Sequence, residues 1–222
     1  MQQQPDFKEI AAQLRQPSGA MGIATAERMQ VNNQHMIEQT IRVLKAAKGH
    51  NVLEIGPGGA YHLPFLLAQA PGINSYTGID ISSTMVDLAR QTNAGILSDN
   101  IQFVLASADQ GFVSIPASEH YHKIFTVNTL YFWDKPLQQA GELYRALASG
   151  GQLVLSFASA AFMQSLPFTT YGFNLYTTEQ AASLLEEASF HIEDIHTETE
   201  KVPGMPEEAM PRTFHIIIAG KK

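Results

Sequence analysis

The chain has 222 residues, of which 45% are hydrophobic and 16% charged, a net charge of −7 and no cysteine. That length allows one large or two small domains, and the balance is that of a folded chain rather than a disordered one. Disulfides, cysteine-ligated zinc and thiolate nucleophiles are excluded, and 14 Lys and Arg against 21 Asp and Glu leave no basic stripe for nucleic acid beyond Lys221-Lys222.

The opening MQQQPDFKEI lacks the basic and apolar regions of a signal peptide, and no apolar run is long enough for a membrane span. A cytoplasmic protein acting on a small molecule, with no nucleic-acid partner, is the expectation. Residues 5–15 predict a short amphipathic helix with Phe7, Ile10, Ala11 and Leu14 on one face. Residues 16–22 are turn-rich, and Asn32 or Asn33 is expected to N-cap a helix running to about Lys48, ended by Gly49. Strands and helices then alternate. Strands are expected at 51–55, 73–80, 101–107, 121–128 and 152–158. Helices are expected through Leu63, Phe65, Leu66 and Leu67, from a cap at Ser82 or Ser83, and over 136–148 with Gly150-Gly151 as the stop. A helix over 177–189, capped by Thr177 or Thr178, precedes two last strands at 190–199 and 212–220. The alternation implies an α/β fold with a mostly parallel sheet covered on both faces. The last two strands, joined by 202–211 without a crossover helix, should pair antiparallel.

In such sheets ligands bind beyond the carboxyl ends of the strands. The loop after the first strand is Gly56-Pro57-Gly58-Gly59, where missing Cβ atoms let backbone approach a ligand and the following helix offers a positive dipole end. A dinucleotide needs G-x-G-x-x-G, and Tyr61 occupies the last position. Glu54 before the first glycine gives E-x-G-x-G instead, which suits a nucleoside without phosphates.

VLEIGPGGA (52–60) resembles the first motif of class I S-adenosylmethionine-dependent methyltransferases, with Ala60 a mild departure at the final small position. TGIDIS (77–82) resembles the second motif, ASADQ (106–110) the third, and IFTVNTLYFW (124–133) the segment ending the fourth strand. LYRALASGGQLVLSF (143–157) resembles the family's leader helix, Gly-Gly turn and fifth strand. The style is that of the ubiquinone/menaquinone-biosynthesis type, methyltransferase type 11, and the resemblance covers roughly 30–160. It implies a Rossmann-like seven-stranded, mostly parallel sheet with an antiparallel C-terminal hairpin and helices on both faces. It also implies an N-terminal helical cap (1–30) and a methyltransferase domain (31–222) carrying a substrate-side insertion at 159–176.

The resemblance implies S-adenosyl-L-methionine as cofactor, with Glu54, Gly56, Gly58, Gly59, Asp80, Ile81, Ala108, Asp109 and Asn128 around it. Asp80 would grip the ribose hydroxyls, Asp109 would face the adenine amino group, and Glu54 and Asn128 would serve the methionine end. Each has a plainer reading: Asp80 as a helix cap, Glu54 as an organiser of the loop, Asp109 as an exposed loop acid, Asn128 as a partner for loop backbone. Gln16, Ser18 and Gly19 would belong to a cap over the cofactor. Phe168, Tyr171, Phe173 and Tyr176 would form an apolar acceptor pocket or a lid. His120 and His122 share a strand face, but spacing suggests no third ligand, so no metal is expected.

Methyl transfer from a sulfonium needs positioning and exclusion of water first, and a base only where the acceptor must lose a proton. Candidates for that base are Tyr131, His62, His35 and Tyr171. Methyl transfer to a small-molecule acceptor is the expected activity. A cofactor-binding protein without catalysis and a protein-directed methyltransferase are the alternatives.

Overall fold

The computed structural model describes residues 6–106, 115, 118–203 and 210–222. Seven strands form one sheet in the order β3-β2-β1-β4-β5-β7-β6. They are β1 (Asn51–Ile55), β2 (Ser75–Asp80), β3 (Ile101–Leu105), β4 (Tyr121–Val127), β5 (Leu147–Ala158), β6 (His191–Glu200) and β7 (Arg212–Gly220). β7 pairs antiparallel with both β5 and β6, and the other adjacent pairs are parallel. The expected hairpin is therefore present. β1 is buried along its whole length, which is why NVLEI reads as a run rather than an alternation.

Among the described residues seven α-helices accompany the strands: α1 (Phe7–Arg15), α2 (Gly19–Leu44), α3 (Leu63–Gln69), α4 (Ser83–Thr92), α5 (Pro136–Ala146), α6 (Ala160–Gln164) and α7 (Thr178–Glu187). α1 is capped by Asp6, whose side chain accepts from the backbone N–H groups of Lys8 and Glu9. α7 carries a capping box in which Thr177 and Gln180 satisfy each other's backbone.

α2 corrects the reading of the N-terminal region. It is one helix of 26 residues, so Asn32 and Asn33 lie within it rather than at its start. Only Gln16-Pro17-Ser18 breaks the chain, because Gly22 lets α2 fold against Pro17, where a Cβ would come within 2.7 Å of the Pro17 carbonyl carbon. The helix also ends earlier than expected, at Leu44, where Lys45 turns left-handed. Met36, Ile41 and Leu44 are buried on the sheet. Thr40 links the layers: its hydroxyl donates to Met36 O and meets Ser156 Oγ of β5, each at 2.7 Å.

Gly150-Gly151 is not a helix stop. α5 ends at Ala146 and β5 begins at once with Leu147 opposite Tyr121, so the two glycines lie inside the strand. Gly150 has φ +74°, and a Cβ on Gly151 would lie 2.8 Å from Ala148 O. The pair lies in the irregular stretch between Leu147 and Gln152, where β5 shifts register against Tyr121 and Lys123 of β4. No described helix is long and apolar enough to cross a membrane.

Candidate functional site

β1, β2, β3 and β4 deliver their carboxyl ends to one rim, and the glycine loop follows β1. Gly56 (φ +71°) donates its N–H to Ile79 O at 2.8 Å. A Cβ there would lie 2.5 Å from Thr129 Cγ2, so this glycine is required by packing. Gly58 (φ +55°) differs: the space a Cβ would take holds nothing within 4 Å. Gly59 makes room for the Tyr61 ring, 2.5 Å from where its Cβ would stand. Ala60, the mild departure, is left-handed at φ +49°. α3 begins only at Leu63, so the loop is not directly seated on a helix start as the sequence suggested.

Asp80 ends β2 and reaches back to this loop. Its Oδ2 accepts from the Gly58 N–H at 3.2 Å and its Oδ1 from the Ser82 N–H at 2.9 Å. Burial pushes its carboxyl up to about 6, against the opposing pull of those two donors. The cap of α4 is Ser82, whose Oγ accepts from Met85 N and donates to Pro17 O. Asp80 is thus the brace of the glycine loop. Ile81 offers its carbonyl to Gln16 Nε2 at 3.1 Å. Ala108 and Asp109 lie outside the described residues.

Glu54 is buried, and its Oε2 meets His62 Nε2 at 2.9 Å and the Tyr76 hydroxyl at 2.5 Å. Asn128, left-handed at φ +58°, turns its Oδ1 to Ala158 N (3.3 Å) and to the Tyr131 hydroxyl (3.1 Å). Its side-chain oxygen therefore holds β5 and Tyr131 in place.

The four base candidates are not brought together. Tyr131 is buried, its hydroxyl accepts from Ala158 N at 2.5 Å, and burial pushes its phenol well up. The hydroxyl is thus engaged by the backbone of β5 and keeps its proton at neutral pH. His62 is committed to Glu54. His35 on α2 pairs with Glu198 of β6 at 3.0 Å and lies edge-on to Phe214. Tyr171 is exposed beyond the 3₁₀ turn Pro167–Thr170. Around Tyr131 an aromatic group does form: Phe132 and Phe173 have centroids 4.7 Å apart, and Phe173 and Phe168 5.8 Å. Tyr176 is partly buried against the core.

Sequence reasoning missed three features. Tyr76 supports Glu54, and the signal was a tyrosine inside a buried strand, which needs a partner for its hydroxyl. Arg15 pairs with Asp134 across the rim. Arg212, buried at the start of β7, binds Glu200, Asn33 and Asn32 O. No local pattern announces the last two, which join distant segments.

Residues 52–151 match the family model of a methyltransferase domain. The chain is 27% identical over 128 residues to the uncharacterized methyltransferase YdaC of Bacillus subtilis, covering 58% of this chain and 67% of YdaC. It is 35% identical over 101 residues to the 23S rRNA (uracil(1939)-C(5))-methyltransferase RlmD of Pasteurella multocida, covering 43% of this chain. That alignment spans only 22% of the length of RlmD. Among solved structures, the chain is similar to one from the complex of the Haloferax volcanii Trm112 methyltransferase activator with a methyltransferase, at TM-score 0.73 and 16% identity. The similarity covers 89% of this chain and 92% of that one, and at this identity it speaks for the fold alone.

Proposed function

We infer the acceptor class from the premise that the chain belongs to the class I S-adenosylmethionine-dependent methyltransferases, with S-adenosylmethionine as cofactor. The proposed acceptor is a small, largely apolar molecule. The observation that carries this is the aromatic group of Tyr131, Phe132, Phe168 and Phe173 beside Asn128, at the end of β4. Such rings favour an apolar or aromatic partner and expel water from around a reacting centre. A net charge of −7 disfavours a polyanionic acceptor.

The residues of the rim fit the cofactor. The open space at Gly58 is a cradle that a side chain would fill. Asp80, with donors to both its oxygens, would hold the ribose hydroxyls with its remaining lone pairs. Glu54 would serve the amino-acid end. When bound, the cofactor supplies a methyl group on a sulfonium, with sulfur as a good leaving group. The chain's part is to place the acceptor atom in line and keep water out. Where an acceptor must lose a proton, His35 and Tyr171 are the candidates with exposed side chains, and His35 is held by Glu198.

A macromolecular acceptor is the second reading, favoured by the similarity to part of RlmD. Incubation with methyl-labelled cofactor and separate pools of apolar small molecules, RNA and protein tests the choice. Label in the small-molecule pool is expected. Label confined to RNA or protein would overturn the proposal.

A further inference from the structure

Beneath the glycine loop, three buried polar side chains from separate elements converge. Glu54 of β1 is 3% exposed, His62 before α3 is 7% exposed and Tyr76 of β2 is 0% exposed. Both partners bind one oxygen: His62 Nε2 lies 2.9 Å from Glu54 Oε2, and the Tyr76 hydroxyl donates to it at 2.5 Å. Edge-on rings fix both partners, Phe125 against His62 at 6.3 Å and Phe103 against Tyr76 at 5.8 Å between centroids. Burial and the adjacent Glu54 push the Tyr76 phenol well up, so it remains a donor at neutral pH.

Glu54 Oε1, by contrast, has no hydrogen-bond partner among the described residues, and it is not among their fully buried unpaired atoms, so it keeps an opening to solvent. A carboxylate oxygen that opens to solvent and has no partner in the protein is free to accept from a ligand. One oxygen saturated twice and the other left bare, at the foot of a ligand cradle, is an acid set to receive a donor from outside the protein. Asp80 adds a second acid to the same cleft, so a cationic donor is favoured. The ammonium of the amino-acid end is the cation shared by the cofactor and its demethylated product.

We propose that His62 and Tyr76 are positioning residues for cofactor binding: by saturating Oε2 they hold Glu54 so that Oε1 is presented to that ammonium group. The proposal rests on the cofactor site described above. Calorimetry with two probes tests it: S-adenosylhomocysteine, which has the amino-acid end, and 5′-methylthioadenosine, which lacks it. His62→Ala and Tyr76→Phe should each weaken S-adenosylhomocysteine binding about tenfold, the scale of one hydrogen bond to a charged group. Binding of 5′-methylthioadenosine should stay within about twofold, because the cradle itself is intact. His62→Gln, which keeps a donor, should recover most of the loss. Equal weakening of both probes, or no weakening of either, overturns the proposal and leaves His62 and Tyr76 as packing residues. Failure of the unsubstituted protein to bind either probe overturns the cofactor site itself, and the proposal with it.

Discussion

Arg212 at the start of β7 donates to the side chain of Asn33 in α2 at 2.6 Å, joining segments 179 residues apart. The same guanidinium donates to Asn32 O and, through Nε and Nη2, to Glu200 Oε1. Its side chain is 5% exposed and that of Glu200 11%, so the pair is buried. Removing one partner leaves the other charge stranded. Arg212→Ala should therefore lower unfolding stability by about 3–5 kcal/mol in urea titration. The double variant Arg212→Ala, Glu200→Ala should be less damaged than the sum of the singles. A single-variant loss below about 1 kcal/mol would show that the pair holds nothing together.

Gly56 and Gly58 should separate folding from binding. Both are left-handed, which costs a residue with a Cβ about 1–2 kcal/mol. Gly56→Ala adds a clash with Thr129 Cγ2, so its loss should exceed that figure, and adding Thr129→Ser, which removes that methyl, should restore part of it. Gly58→Ala meets no protein atom, so its stability loss should stay near the backbone cost. Its S-adenosylhomocysteine affinity should nevertheless fall at least about tenfold, because the new methyl stands in the cradle. Retained affinity in Gly58→Ala would place the ligand elsewhere.

Those two glycines also show how far a sequence reaches. The loop and the acid one βα unit beyond it were legible, because close backbone approach and a strand-end carboxylate impose residue types at fixed spacing. The antiparallel pairing of β6 and β7 was legible because the sequence of 202–211, with Pro203, Gly204, Pro206 and Pro211, does not read as a crossover helix. What each glycine makes room for was not, since Thr129 lies 73 positions from Gly56 and only folding brings them together. The start of α2 was misplaced for a local reason. Asn32 and Asn33 are good cap residues, but here they are held mid-helix, and Asn33 serves Arg212. The partners of the Tyr131 hydroxyl, Ala158 and Asn128, were not legible either, because β4–β5 register sets that pairing.

Asp80 should give the free protein a characteristic pH dependence. Its folded value of about 6 stands above the ordinary 3.8, so the folded state holds that proton more tightly than the unfolded chain does. The resulting stability is fully present below about pH 3.8 and is lost as pH rises through about 6. A shift of roughly two units corresponds to about 3 kcal/mol. Other acids titrate nearby, so the measurement is the difference in unfolding stability between the unsubstituted protein and Asp80→Ala. That difference should change between pH 4 and 7, with the unsubstituted protein losing ground as pH rises. Asp80→Ala should also bind S-adenosylhomocysteine about 1–3 kcal/mol more weakly. A flat difference and unchanged affinity together would remove Asp80 from the site.

Tyr131→Phe should damage the fold more than the chemistry. The variant loses the acceptor for Ala158 N, leaving it Asn128 Oδ1 at 3.3 Å. A stability loss of about 1–3 kcal/mol is expected by thermal or urea unfolding. The pH profile of methyl transfer should keep its shape, because a phenol pushed so far up is not a base at neutral pH. Loss of a titrating limb from that profile would return Tyr131 to the chemistry.

The N-terminal segment supplies the last prediction. Gln16 binds Ile81 O at 3.1 Å, Pro17 O accepts from Ser82 Oγ, and Gly19 N donates to Thr84 Oγ1 at 3.3 Å. Those three anchors lie at the end of β2 and the start of α4, whereas Arg15 pairs with Asp134, beyond β4. In the sheet β1 lies between β2 and β4, so the segment straddles the glycine loop. A strap in that place is expected to slow the exchange of a ligand held in the proposed cradle. Arg15 and Asp134 are exposed enough that their pair is worth only about 0–1 kcal/mol to the fold. Arg15→Ala should thus leave unfolding stability nearly unchanged, yet speed S-adenosylhomocysteine dissociation up to about fivefold in stopped-flow measurements. Raising salt to about 1 M, where surface charges are screened within a few ångströms, should bring the unsubstituted protein towards the same rate. Arg15→Ala dissociating at the unsubstituted rate would mean that ligand leaves by a path the strap does not cover.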